Sequence, residues 1–169
     1  MIPTLTTDRL TLGPFTLAHY EAFRAFSATD RAAPLGGPST DPRDAWASCM
    51  IHLGHWQARG YGGFFATETA TGRPAGRISL WHPVWLDEPE LSWIVFDGFE
   101  GAGYAAEGAR AVRDWAAAQG LPALHSLIDG ANTRSLALAE RLGARREGDH
   151  TYDHGKTVQK WRHPLGDAA

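Results

Sequence analysis

A mixed α+β domain built on one sheet is what this sequence predicts, on three observations. Short runs of alternating apolar and polar residues recur between residues 4 and 163, the pattern of half-buried strands. Segments with apolar residues at helical spacing are interleaved with them. The 169 residues are 43% hydrophobic and 21% charged. That is enough for one core and too few for two, so residues 1–169 read as a single domain.

The elements follow in order. TLTTDRLTLG (4–13) alternates and predicts a strand. TLAHYEAFRAFS follows, with Thr16 as N-cap and Leu17, Tyr20 and Phe23 at helical spacing. DRAAPLGGPST (30–40) is a Pro- and Gly-rich loop. Asp41 then caps a helix whose first position is Pro42; its apolar stripe is Trp46, Met50 and Leu53, and it stops near Gly60. Two alternating runs in residues 61–82 flank Thr71-Gly72 as a hairpin. PELSWIVF (89–96) is the fourth strand and continues the antiparallel meander. A helix over 105–119 carries Ala105, Ala109, Val112 and Ala116 on one face. ALHSLID (123–129) is the fifth strand, and 132–143 a short helix stopped by Gly143. Residues 150–163 read as a closing hairpin around Gly155. No internal repeat, low-complexity tract or linker interrupts the series.

Composition excludes several classes. The net charge is -3 and no stretch is strongly basic, so nucleic acid is not the expected partner. Cys49 is the single cysteine; it allows no internal disulfide, points to a reducing compartment, and sits on an apolar helix face as a core residue. MIPTLTTDRL has no apolar signal core, and no apolar run is long enough for a membrane. The expectation is a soluble cytoplasmic protein without a membrane partner. His52 with His55, and His150 with His154, are spaced as pairs. Neither has a third ligand, so both pairs are expected on the solvated surface and no metal is expected.

FEGAGYAAEG (99–108) raises the functional question. A glycine-rich turn opening a helix presents backbone N–H groups and a positive dipole end to an anion. Glycine lets that backbone approach a ligand closely. Read literally, the glycines fit the dinucleotide fingerprint, with Asp129 where a ribose-binding acid would stand. Three features oppose this. DGFE separates the strand from the first glycine, a meander of roughly half the chain precedes the unit, and too little chain follows Asp129 to complete the second half of such a sheet. A nicotinamide-dependent oxidoreductase therefore stands as the weakest reading. No Gly-Lys-Ser/Thr follows the glycines, which excludes a nucleoside-triphosphate loop.

The whole order, with EGAGYA (100–105) after the fourth strand and an Asn-led helix after the fifth, resembles the GNAT acyl-CoA N-acyltransferase family. Within it the chain is similar to the Rim-type branch of ribosomal-protein N-terminal acetyltransferases. TDRLTL (7–12), GYAAEG (103–108), Asn132 with Ser135, and AERLGA (139–144) carry that likeness, which extends over residues 4–163. The resemblance implies a mixed, mostly antiparallel central sheet with splayed fourth and fifth strands, flanked by helices. It implies acetyl-CoA as co-substrate and direct transfer to a primary amine, either a protein N-terminus or a small molecule, by a monomer or homodimer.

By the same resemblance Gly101, Ala102, Gly103, Tyr104 and Ala105 cradle the pyrophosphate. The backbones of Trp93, Ile94 and Val95 pair with pantetheine, and an N–H near Val95 polarises the thioester oxygen. Asn132, helped by Ser135, holds the cofactor arm or the substrate end, against an N-cap role for Asn132 and a surface helix position for Ser135. Glu90 is the candidate general base, against a solvated glutamate at a strand end. Trp81, His82 and Trp85 shape an acceptor pocket, against loop packing or a dimer contact. Three positions depart from the family. Glu100 stands where Gln or Arg is usual, Ala102 replaces a common basic residue, and Ala139 stands where many relatives carry a tyrosine acid. The Glu100 and Ala139 departures keep open a module that binds acyl-CoA without transferring it.

Overall fold

The computed structural model describes residues 1–165. The elements are β1 (Leu5–Thr6), β2 (Leu10–Gly13), α1 (Leu17–Ser27), a 3₁₀ helix (Asp30–Leu35), α2 (Pro42–Arg59), β3 (Gly63–Glu68), β4 (Pro74–Trp81), β5 (Glu90–Val95), α3 (Tyr104–Ala118), β6 (Leu124–Ile128), α4 (Thr133–Arg141), β7 (Arg145–Thr151) and β8 (Thr157–His163). The strands form one sheet in the order β1-β2-β3-β4-β5-β6-β8-β7. β5 and β6 are the parallel neighbours, and a single register pair, Glu90 with His125, joins them.

Alternation along β4 fixes the layers. A Cβ on Gly108 of α3 would lie 2.9 Å from Ile78, whereas the neighbouring Arg77 lies over the Phe23 ring of α1. Successive strand residues point to opposite faces, so α3 covers one face and α1 and α2 the other. Gly108, Ala109, Val112 and Ala116 form the buried stripe of α3; Gly108 rather than the expected Ala105 makes the closest approach.

Four sequence expectations are corrected. Residues 4–13 are a small hairpin and not one strand. Thr7 N–H donates to Leu10 O at 2.9 Å, and the Leu10 N–H donates to the Thr7 hydroxyl at 2.9 Å. The loop at 30–40 contains the 3₁₀ helix. The closing hairpin starts earlier, at Arg145, because β7 is a largely exposed edge strand without apolar alternation.

The fourth correction is the face of α2. It buries Ala45, Cys49, His52, His55 and Trp56, and Trp46 is 44% exposed. The Trp56 indole N–H donates to Gly63 O at 2.9 Å, and a Cβ on Gly63 would lie 3.0 Å from His52 Nδ1. Close approach to β3 therefore sets the rotation of the helix. His52 and His55 are buried, contrary to the solvated reading. His55 Nε2 accepts the His82 N–H at 2.9 Å, so Nδ1 carries the proton and donates to Tyr61 O at 2.7 Å.

Glu88 anchors the loop before β5 to β8. Its Oε2 lies 2.8 Å from Arg162 and 3.2 Å from Lys160. Hydrogen bonding to Arg162 leads in pulling its carboxyl down to about 2. A depressed carboxyl stabilises the fold above its unfolded value of 4.5 and loses that contribution as pH falls toward 2. At neutral pH, Glu88→Gln should lower the melting temperature by about 2–4 °C, the size expected for a partly exposed pair. Melting curves from pH 7 down to pH 2 check this: the deficit should vanish at the acid end.

Candidate active site

β5 and β6 part company just after they meet. His125 N–H donates to Pro89 O at 3.2 Å and the Ser126 hydroxyl to Leu91 O at 2.5 Å. Beyond these bonds a cleft of 1920 Å³ opens, lined by β5, β6, the glycine turn, α4, the 3₁₀ helix and α2. Backbone alternation tells which groups face it. Phe96 N–H bonds Ala75 O on the β4 side, so Ile94 also turns its backbone to β4. Leu91, Trp93 and Val95 present theirs to the open side. Of the three expected pantetheine partners, Trp93 and Val95 therefore have the required backbone direction and Ile94 does not. Val95 O already accepts from Arg31 Nη2 at 2.6 Å.

The glycine turn lies at one end of the cleft. Gly98, Gly101 and Gly103 have φ of +86°, +72° and +86°, a region costly for side chains. In α3 the Glu107 N–H reaches Gly103 O at 3.0 Å. The helical amides ahead of it have no carbonyl one turn back, and they head the cleft. Gly101, Gly103, Tyr104 and Ala105 line it, and Ala102 does not.

Arg9 sets the shape of this turn. Its Nη1 donates to Ala102 O at 2.8 Å and its Nε to Glu107 at 2.7 Å. Its backbone N–H and the Thr7 hydroxyl donate to the other Glu107 oxygen at 2.8 and 2.6 Å. Its guanidinium lies 4.6 Å over the Tyr104 ring, and Tyr104 in turn donates to Glu68. TDRL and GYAAEG are thus two halves of one clamp. Arg9→Ala should weaken acetyl-CoA binding about tenfold by loosening the amides; calorimetric titration checks it.

Glu100 does not load the turn with free negative charge. It accepts from Gly98 N–H at 2.8 Å and pairs with Arg31 at 2.5 Å. Its own turn's backbone hydrogen bonds are the largest cause of its lowered carboxyl pKa, with Arg31 adding to them.

Asn132 Oδ1 accepts the Ser135 N–H at 3.1 Å and so caps α4; the Ser135 hydroxyl accepts the Trp93 indole N–H at 3.2 Å. Both residues line the cleft. Ala139 is fully buried in a cluster with Ile128, Ala144 and Trp161, against which Trp93 packs. A small residue there leaves room for the Trp93 indole.

Glu90 sits at the closed end of the wedge and lines the cleft. Burial pushes its carboxyl up to about 7, against a backbone hydrogen bond from Leu127. Tyr152, from the β7–β8 turn, lines the same cleft. Burial first, and the charge of Glu90 second, raise its phenol to about 12, so it stays protonated.

The three residues expected on the acceptor side separate. Trp81 lines the cleft and packs on His55 and His52 at 5.1 and 5.5 Å. His82 spends both ring nitrogens on structure: Nδ1 accepts from Tyr61 at 2.5 Å and Nε2 donates to Leu86 O at 3.0 Å. Trp85 is 67% exposed, beside a small separate cavity lined also by His125 and His150. His150 and His154 flank Tyr152 at 4.8 and 5.4 Å. Among the described residues no group of three His, Cys, Asp or Glu is placed to hold a metal.

Sequence reading missed Arg9, Arg31 and Tyr152 as parts of this site. The Thr-Asp-Arg motif was visible, but its partner Glu107 is 98 positions away. Nothing local marks Arg31 or Tyr152.

The fold matches that of solved acetyltransferases. The sequence profile of the acetyltransferase (GNAT) domain matches residues 9–145, and the chain belongs to that family. It is similar to a solved acetyltransferase from Agrobacterium tumefaciens, at 36% identity over 97% of this chain and 95% of that one, with a TM-score of 0.87. RimL, the ribosomal L7/L12 alpha-N-protein acetyltransferase solved with coenzyme A, shares the fold at 17% identity and TM-score 0.78, over 99% of this chain and all of that one. A ribosomal-protein-S5-alanine acetyltransferase from Vibrio fischeri does so at 14% identity and TM-score 0.70, over 99% of both chains. No curated protein matches the chain.

Proposed function

We propose that this acetyltransferase moves an acetyl group directly from acetyl-CoA to a primary amine, with Glu90 as general base. The observation that carries the reading is the parting of β5 and β6. Beyond the Glu90–His125 pair the open edge of β5 has no neighbouring strand, and it runs between a helix N-terminus at one end and a carboxyl with a pKa of about 7 at the other.

The amides around Gly101, Gly103, Tyr104 and Ala105 suit the pyrophosphate. Trp93 and Val95 offer backbone partners to pantetheine, and the Val95 N–H suits the thioester oxygen. Free aliphatic amines are mostly protonated near neutral pH. Glu90, directly or through water, takes the amine proton as nitrogen bonds to the carbonyl carbon and the thiolate departs. Tyr152 is the protonated group closest in character to the absent tyrosine acid.

Acceptors are a protein N-terminal α-amine, the kind of group named for RimL, or a small primary amine. The reading suits the cytoplasm, and no helix among the described residues is long and apolar enough to cross a membrane. The test is release of coenzyme A thiol with a panel of N-terminal peptides and small amines, each product checked by mass. Amine-dependent thiol release matched by N-acetylated product supports transfer. Acetyl-CoA binding without release would leave a non-catalytic module, and NAD binding in its place would revive the oxidoreductase.

A further inference from the structure

Five buried side-chain polar atoms lack hydrogen-bond partners among the described residues; two, His125 Nδ1 and His163 Nδ1, lie on β6 and β8, and the other three are Arg77 Nη1, Ser79 Oγ and His52 Nδ1. These three are neighbours. Arg77 and Ser79 alternate on β4 and share its α2-facing side. Gly63 pairs with Ser79, and the His52 ring lies over Gly63. Arg77 and His52 both line the cleft, beside Trp81 and Ser92.

Arg77 is 5% exposed and has no carboxylate against it among the described residues. Burial lowers its pKa to about 10, which leaves it cationic at neutral pH. Its titratable neighbours Cys49 and His52 are both neutral: burial pushes the thiol up to about 11 and, with the charge of Arg77 adding to it, holds the imidazole well below its usual value. The Phe23 ring, 5.2 Å away, offers a cation–π contact, which compensates less than a charge-assisted hydrogen bond. A buried cation with a free donor in the wall of a substrate cleft is complete only when an anion arrives.

We propose that Arg77 binds a carboxylate of the acceptor, so that the acceptor is an amine carrying an anionic group at its far end. This rests on the transferase reading above. The spacing narrows the class. Glu90 pairs in register with Trp81, on the same face as Arg77, and the strand rises about 13 Å from Arg77 to Trp81. The Arg77 guanidinium stays toward the far end of that run, 5.2 Å from the Phe23 ring, which packs on Phe96 just past the end of β5, so amine and carboxylate are well separated. An ω-amino carboxylate, or a peptide with an acidic residue after its N-terminus, fits; a simple α-amino acid does not.

The test compares ω-amino carboxylates of graded length with their carboxamides, and glutamate-containing peptides with their glutamine counterparts. Wild-type protein should prefer the acids by at least about tenfold in kcat/KM. Arg77→Met should erase the preference, keep acetyl-CoA binding by calorimetry, and melt no lower than wild type. Arg77→Lys should keep part of the preference. The peptide and small-molecule arms tell the two sources apart. Equal use of acid and amide by wild type, or a preference that survives Arg77→Met, overturns the proposal. A second readout is independent of turnover: the ω-amino carboxylates should raise the melting temperature of wild type but not of Arg77→Met, and no such shift also overturns it. Absence of acetyl-CoA binding would sink the transferase reading alone, leaving the carboxylate shift to decide Arg77.

Discussion

Gly103→Val should lower acetyl-CoA affinity about 100-fold, the equivalent of about 2.7 kcal/mol. Gly103 is the residue before α3, at φ +86°. A β-branched residue resists that conformation at a cost of about 1–2 kcal/mol. Its Cβ would also come 3.4 Å from Arg9 Nη2, the side chain that holds the turn. Any escape to negative φ swings the amides of Tyr104 and Ala105 away from the cleft. Gly120→Val is the matched control. Gly120 has φ +76° and nothing within 4 Å of an added Cβ, and it lies at the other end of α3. Both variants should lose similar stability by thermal melting, and only the first should lose affinity in a calorimetric titration. Equal affinity losses would mean that the turn acts through general stability.

Glu90→Gln should cut kcat by about 10²–10⁴-fold while acetyl-CoA binding holds, the usual effect of removing a general base. The wild-type rate should climb through an apparent pKa near 7, the value to which burial raises this carboxyl, and the variant should lose that limb. Stability should move the other way. A carboxyl raised from 4.5 to about 7 keeps its proton in the fold after the unfolded chain has lost it. Stability therefore falls as pH rises across that window. Gln carries no such penalty, so the variant should melt higher than wild type above pH 7. A rate profile unchanged in shape would remove Glu90 from the chemistry.

Much of this was legible in the chain because it is local. Alternation marked β3 to β6, and glycines with helix-starting residues bracketed α2, α3 and α4. The order of elements with the turn at Gly101–Gly103 carried the family. What escaped depended on distant partners. The α2 stripe was misplaced because His52 and His55 count as polar, whereas packing against β3 and Trp81 buries His52 and two ring hydrogen bonds hold His55 in the interior. β7 escaped because an edge strand needs no apolar face. Residues 4–13 hid a turn because leucine alternates with threonine on both sides of it, and only the change of phase between Leu5 and Leu10 marks the break. Ile94 looked equivalent to Trp93 and Val95 until the ladder to β4 fixed which backbone groups were free.

The clearest single test of the site is a calorimetric comparison of acetyl-CoA with S-acetylpantetheine, which keeps the thioester arm and lacks the nucleotide and pyrophosphate. If the amides at the head of α3 hold the pyrophosphate, acetyl-CoA should bind at least about 100-fold more tightly. Equal affinities would contradict the account, because the glycine turn would then be a strand-to-helix connection with no ligand of its own.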